Sequence, residues 1–299
     1  MKKIEDIRIL VVGDIMLDKY VVGEVKRISQ EAPVPIVKVL DEYYTLGGCG
    51  NVVRNIAETG AKVDCSASIS NDMHGVKITA LLDQIGAGNL LVKGSEVTIV
   101  KERIIADQRK VQMIRIDKET TGEEIEPVPL IEEIEARNKK YDIIVVSDYA
   151  KGVITWELMA YLYKLDIPVI VDPKPQNDHL YNRPYMITPN KKEWTPMEIE
   201  DRVRPEYVLV TEGKEGMTLI DYHSSIIGRT KIEAEPVEVY NVSGAGDTVT
   251  AMMAVCLSIG LTPRKSAVVA NKCAAYVVTQ TGTSTVPKEI FTSILNKNK

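Results

Sequence analysis

Apolar residues along this chain come in two textures. Short unbroken runs of aliphatic and β-branched residues alternate with segments of helical period. IRILVV (7–12) reads as a buried strand that closes at Gly13-Asp14, residues 51–59 as a helix, and residues 62–67 as a second strand. Residues 73–84 are again helical. DIIVVSD (142–148), IPVIVD (167–172), YMIT (185–188) and YVLVT (207–211) repeat the strand texture, with a helix between the first two. Continuous runs spaced by helices predict an α/β fold with a largely parallel sheet covered on both faces. These strands end repeatedly in Asp, Asn or Thr, and open α/β sheets gather ligands at their carboxyl ends.

Two segments break the pattern. PVPIVKV (33–39) alternates apolar with polar, and so does VTIVKERIIADQRKVQMIRID (97–117), which reads as two strands joined near residues 107–110. Alternation implies a sheet with one exposed face. A small β-sheet lid is expected from segments near 18–45 and 95–118, with Gly47 and Gly48 as a hinge or a point of close approach. Two long helices, 246–259 and 263–278, end the pattern. Thr262 before Pro263 fits an N-cap followed by proline at the first helical position.

Composition narrows the class. A length of 299 residues suits one large α/β domain or two small ones. A net charge of −5, with no basic run interleaved with aromatics, argues against a nucleic-acid surface. The longest uncharged run, 248–263, is too short and too interrupted to span a membrane. The N-terminus carries charges where a signal peptide would be apolar. Cys49, Cys65, Cys256 and Cys273 show no CxxC pairing, and the three histidines are scattered. A His/Cys metal site is not expected, and free thiols in a reducing cytoplasm are.

The candidate chemistry centres on NVSGAGDTV (241–249). Backbone N–H groups at a helix start lack partners, and the helix dipole there favours negative charge. Gly244 and Gly246 let a ligand approach the backbone, so Ser243 to Asp247 could cradle a phosphate. A carboxylate beside that cradle could take the proton of an attacking hydroxyl. The same residues also suit a plain tight turn with Asp247 stabilising the helix start, because short glycine motifs are weak without context.

Context comes from further segments. GGCGN (47–51), VVGDIMLDKY (11–20), RISQEAPVPIVKV (27–39), VSDYAKGV (146–153), DPK (172–174), TPN (188–190), EVYNVSGAGDTV (238–249) and GTSTV (282–286) resemble the ribokinase-like (PfkB) sugar kinases over almost the whole chain. Within that family the resemblance narrows to the D-glycero-β-D-manno-heptose 7-phosphate kinases of ADP-heptose synthesis.

The resemblance implies an ATP- and Mg²⁺-dependent kinase that phosphorylates the anomeric O1 of a heptose 7-phosphate. It makes Asp247 the catalytic base and gives the amides of Gly244, Ala245 and Gly246 the charge of the transferring phosphoryl group. It assigns sugar binding to Asp14, Gly47, Gly48 and Asn51, and nucleotide binding to Thr211, Gly213 and Asn271. Asn190 and Glu193 match the family's Asn-x-x-Glu and would act on Mg²⁺ through water; they could equally form a helix capping box. For a sugar that already carries a phosphate, Arg103 and Lys174 are the preferred cations among Lys101, Arg103, Arg115, Lys151 and Lys174. Arg109 and Lys110 read as solvated charges.

The chain departs from the family at several points. Asn241 stands where most relatives carry the Asp of a monovalent-cation site, so K⁺ dependence is expected to be weak or absent. Cys49 stands where Ala is usual, and the stretch between Asn190 and Tyr207 is short. No nucleotidyltransferase domain is expected within these residues. Partners are expected to be ATP, the sugar phosphate and, by resemblance, a second copy joined through the lid. The rival readings are a PfkB kinase for another sugar and a sugar- or nucleotide-binding relative without turnover.

Overall fold

The computed structural model describes residues 1–107, 111–119, 123–137, 139–197, 203–223, 226–280 and 282–298. In chain order its strands are β1 (Arg8–Gly13), β2 (Ile15–Ile28), β3 (Pro35–Gly48), β4 (Lys62–Ser68), β5 (Gly88–Val92), β6 (Val100–Ala106) and β7 (Val111–Lys118). They continue with β8 (Ile143–Ser147), β9 (Val169–Asp172), β10 (Met186–Ile187), β11 (Tyr207–Thr211), β12 (Met217–Asp221) and β13 (Gly228–Ile232). The α-helices are α1 (Cys49–Glu58), α2 (Met73–Gln84), α3 (Pro127–Arg137), α4 (Trp156–Lys164), α5 (Lys191–Trp194), α6 (Ala245–Ser258), α7 (Pro263–Val278) and α8 (Lys288–Asn298).

Nine strands form the central sheet in the order β13-β12-β11-β10-β9-β8-β1-β4-β5. All its pairings are parallel except β11–β12 and β12–β13. The unbroken apolar runs follow from this layering. Side chains alternate across a strand, so a strand covered on both faces needs apolar residues at every position. Ile9 and Val11 of β1 join one buried cluster with α1, α6 and α7, whereas Leu10 and Val12 join the other with α3 and α4. Ile143 and Val145 of β8 divide from Ile144 and Val146 in the same way.

The alternating segments build a separate four-stranded sheet, β3-β2-β6-β7. Its strands reach further than the expected 18–45, because β2 starts at Ile15 and β3 runs to Gly48. From Ile15 to Val22 most positions are buried on both faces, so the period that marks a half-exposed strand is missing there. Register sets Asp18 of β2 opposite Thr45 and Lys101, and Tyr20 opposite Tyr43 and Arg103. Arg103 is in turn opposite Arg115. These residues share one face of the small sheet, on which Arg103 reaches Asp18 and Tyr20 reaches Thr283.

Helix starts follow local chemistry. Asp72 caps α2 through Gly75 N–H (2.8 Å), Thr155 caps α4 through Leu158 N–H (3.3 Å), and Thr262 caps α7 as its sequence predicts. Among the described residues no helix is long and apolar enough to cross a membrane. All four cysteines are buried and free.

Candidate active site

The carboxyl ends of β1, β8, β9 and β11 converge where α6 begins. Asp14 follows β1, and its buried carboxylate accepts the backbone N–H groups of Tyr149 (2.8 Å), Lys151 (3.1 Å) and Val153 (3.2 Å). Burial pushes this carboxyl up to about 6, the charge of Asp148 adds to the rise, and the three N–H donors oppose it. Asp148 accepts from Ala150 N–H (2.6 Å), Asn177 (2.8 Å) and the Tyr181 hydroxyl (2.5 Å). Two carboxylates thus clamp the loop 148–153. Asp14, the residue expected to hold sugar hydroxyls, has its oxygens turned to the backbone of this loop, with two donors on Oδ2 and one on Oδ1.

The start of α6 carries no capping side chain. Gly244 there has φ +79°, and a Cβ on it would stand 2.7 Å from Asn51 Nδ2. Any other residue would be strained and would push Asn51 aside. Gly246 faces open space, with nothing within 4 Å of a notional Cβ. Asp247, in the first turn, is 7% exposed. Its Oδ2 accepts from Asn51 Nδ2 (2.8 Å) and its Oδ1 from the Tyr149 hydroxyl (2.7 Å). Burial raises its pKa, and these two donors pull it back towards the ionised form.

Two hollows adjoin this helix start and share Thr211 and Gly246. The larger, about 490 Å³, has apolar walls that include Met217, Val249 and Val278, with Thr211, Gly213 and Asn271 also lining it. Its size and lining suit a flat heteroaromatic ligand. The Asn271 amide donates to Glu233 O (2.8 Å), which fixes that wall. The smaller, about 150 Å³, brings Gly244, Gly246 and Asp247 together with Tyr149, Asp172, Lys174, Asn190 and Glu193.

Asn190 and Glu193 form the capping box foreseen as one of their two readings. The Asn190 side chain accepts the N–H groups of Lys192 and Glu193, and Glu193 Oε2 accepts Asn190 N–H (3.0 Å). Glu193 Oε1 also takes Lys174 Nζ at 2.5 Å. Lys174 was expected beside the sugar, yet this pairing draws it to the smaller hollow. Asp172, whose side chain accepts no hydrogen bond among the described residues, is raised well above the ordinary carboxylate range, chiefly by burial and then by the charges of Asp247 and Glu193. An anionic site strained in this way fits a cation shared with a phosphate chain, although no cluster of three ligands stands ready for one among the described residues.

On the other side lies the inner face of the small sheet. Arg103 pairs with Asp18 (2.7 Å) and lies over the Tyr20 ring, 5.4 Å from its centroid. The Tyr20 hydroxyl in turn bonds Thr283 (2.7 Å). Gly47 is packed on Asp18, where a Cβ would come within 2.9 Å of Oδ2, and Gly48 turns the chain into α1. Arg115 pairs with Asp117 and Lys151 with Glu119. Lys101 forms no ion pair among the described residues. It lies over the Tyr149 ring at 5.9 Å, and burial lowers its pKa. Arg109 and Lys110 lie outside the described residues.

The structure therefore brings Asn51, Asp247 and the glycine cradle together, and it sets Thr211, Gly213 and Asn271 in the adjoining cavity. Three residues here escaped the sequence reading. Asp18 stands four positions after Asp14 in GDIMLD, where only the first Asp was weighed. Tyr149 lies inside SDYAKG and Asp172 opens DPK, segments used for resemblance and given no role for these side chains. The Asn241 carbonyl oxygen is occupied by Ser243 N–H (2.9 Å).

A buried carboxylate at an uncapped helix start, between a nucleotide-sized cavity and a polar face, defines a phosphotransferase site on a ribokinase-type fold. The chain belongs to the pfkB family of carbohydrate kinases, whose family model matches residues 6–290. It is 36% identical over 307 residues to bifunctional protein HldE of Campylobacter curvus and 38% identical over 303 residues to that of Bradyrhizobium diazoefficiens. These alignments cover 95% and 93% of this chain but 63% and 60% of the relatives' own lengths. Among solved structures it is similar to Escherichia coli phosphofructokinase-2 in complex with potassium (TM-score 0.79, 18% identity, 97% of this chain and 99% of that one). Arabidopsis thaliana ribokinase complexed with ribose and ATP has the same fold (TM-score 0.70, 20% identity, 96% and 98%).

Proposed function

We propose that this kinase transfers the γ-phosphoryl group of ATP to the anomeric O1 of D-glycero-D-manno-heptose 7-phosphate, giving the 1,7-bisphosphate used for ADP-heptose. The observation that carries the reading is Asp247, whose buried carboxylate lines the smaller hollow, accepts from Asn51 of α1 and feels the charge of Asp18 on the small sheet. The branch is supported by the resemblance of RISQEAPVP and SDYAKG and by the relatives named HldE.

In this reading the adenine occupies the larger cavity, against Thr211, Gly213 and Asn271, and the phosphates run past Gly246. Amides of Gly244 and Gly246 hold the transferring group, joined by Ala245 N–H once it leaves Val242 O (3.3 Å), and Lys174 serves the phosphates. Asp172 and Glu193, with Asn190 beside them, would hold Mg²⁺ mostly through water, and the ion would neutralise charge on the phosphates. Asp18 and Asn51 hold sugar hydroxyls over Gly47 and Gly48, with Arg103 fixing Asp18. Lys101, half-buried and in no ion pair among the described residues, takes the phosphate the sugar already bears, since a desolvated cation is costly until paired. Asp247 accepts the O1 proton.

The test is ATP-dependent turnover of the heptose 7-phosphate beside fructose 6-phosphate and ribose. Preference for the heptose by at least about tenfold in kcat/KM supports the branch; equal or better turnover of another sugar moves the substrate and leaves the mechanism. The same assay run in KCl and in a K⁺-free buffer is expected to give equal rates, because Asn241 has lost the charge of a cation ligand. A steep activation by K⁺ would contradict this.

A homodimer is proposed through the small sheet. Val39 and Leu40 of β3 and Ile114 and Ile116 of β7 are each about half exposed or more, an apolar surface that a second copy would cover. Light scattering is expected to give twice the chain mass; a monomer at high concentration would overturn it.

A further inference from the structure

Tyr149 lies outside every role assigned above, yet more of the site converges on it than on any other uncommitted side chain. Its hydroxyl meets Asp247 Oδ1 at 2.7 Å. Its backbone N–H is held by Asp14, and the next residue's N–H by Asp148. Lys101 and Lys174 flank its ring at 5.9 and 5.3 Å. The phenol is therefore mounted by two carboxylates and aimed at a third.

We propose that Tyr149 is the positioning residue of the base: it fixes the rotamer of Asp247 and keeps that carboxylate ionised inside a buried site. The proposal rests on the reading of Asp247 as the base. Among the described residues Asp247 has one donor on each oxygen, Asn51 on Oδ2 and Tyr149 on Oδ1. A carboxylate offers about four lone-pair sites, so each oxygen keeps one for the incoming sugar hydroxyl. Without its donors, a carboxylate this buried would take up a proton and could not act as a base.

The phenol is suited to the task. Burial and the charge of Asp247 hold its own pKa well above the ordinary value, so it remains a donor wherever Asp247 is charged. The groups facing Asp247 are Asn51, Tyr149, Lys174, Asp172, the buried Cys49 thiol and Asp18. Lys174 is engaged by Glu193. Tyr149 and Asn51 are thus the direct donors to the base, and Tyr149 is the one carried by the loop 148–153. That loop ties base strength to the end of β1 through Asp14. No covalent step is added to the reaction; the O1 proton still passes to Asp247.

The test is the kcat–pH profile of the full chain and of Tyr149→Phe, which keeps the ring and both cation contacts. Activity falls as pH drops through the pKa of the base. Losing a donor to the charged form should move that acid limb upward by about one pH unit, with KM changed far less than kcat. A merely structural role would lower kcat evenly across pH and leave the limb in place, which overturns the proposal. So would a rise in kcat, the sign of a hydroxyl that only obstructs the base.

A second readout needs no substrate. The carboxyl ¹³C resonance that disappears in Asp247→Asn should titrate at higher pH in Tyr149→Phe than in the parent. If that shift occurs while the parent shows no acid limb in kcat, the coupling stands and the assignment of the base fails. If the limb exists and neither readout moves, the base stands and the coupling fails.

Discussion

Asp247→Asn lowers kcat by about 10³-fold or more, the upper part of what general-base catalysis supplies, while ATP affinity changes little. The amide is isosteric and can turn its oxygen to Asn51 and its NH₂ to the Tyr149 hydroxyl, which is able to accept. The two bonds at 2.8 and 2.7 Å therefore have replacements, and the fold is kept. What is lost is the ability to take a proton from the sugar hydroxyl. ATP binding is spared because the larger cavity is lined by residues of β11, β12, α6 and α7 that do not include Asp247. Steady-state kinetics with a nucleotide-binding titration check both halves. A variant within tenfold of the parent would mean that the proton leaves by another route.

The largest effect on stability is expected at the opposite edge of the sheet. Asp64 of β4 is fully buried and receives Arg8 Nη1 (3.0 Å), Arg137 Nη2 (3.0 Å) and the Tyr141 hydroxyl (2.9 Å). These partners come from β1, from α3 and from the segment entering β8, so one carboxylate ties three parts of the chain together. Asp64→Ala leaves two guanidinium groups and a phenol facing a void. Breaking a fully buried pair by removing one partner costs about 3–5 kcal/mol, and the partial exposure of Arg8 and Arg137 places the loss here at about 2–3 kcal/mol. The cluster also requires Gly88, where a Cβ would lie 1.7 Å from Asp64 Oδ1. Urea unfolding should show this loss, with kcat per folded molecule unchanged. A loss below about 1 kcal/mol, the range of an exposed pair, would mean that water reaches the cluster.

Much of the fold was legible in the chain because the two textures map onto two kinds of sheet. IRILVV, DIIVVSD and IPVIVD are apolar throughout because helices cover both faces, whereas 97–117 alternates in a sheet without such cover, where β6 is half-buried and β7 exposed along its length. β2 was not legible: its first half is buried on both sides and mimics neither texture. Helix α3, with β5, β12, β13 and α8, also went unread, being short or only weakly periodic.

The site divides in the same way. The glycine cradle and Asp247, like Asn51, become legible through the resemblance of the surrounding segments, because Gly-Ala-Gly-Asp alone also suits a plain tight turn. Partners fixed in three dimensions do not. Nothing in the sequence says that Asp14 turns to the loop 148–153, that Lys174 crosses to Glu193, or that Arg103 pairs with Asp18 while Lys101 forms no ion pair among the described residues. Those outcomes depend on which strand ends lie side by side. Tyr149 shows the limit best, since its neighbours in SDYAKG give no hint that its hydroxyl meets a carboxylate 98 positions away.

The central claim is that the phosphoryl group reaches the anomeric oxygen of a sugar that already bears a phosphate. The direct measurement is ³¹P NMR of the product formed from ATP and D-glycero-D-manno-heptose 7-phosphate. The account predicts two sugar phosphorus signals, the new one coupled to the anomeric proton. A new phosphate coupled to any other carbon-bound proton, or release of inorganic phosphate alone, would contradict it.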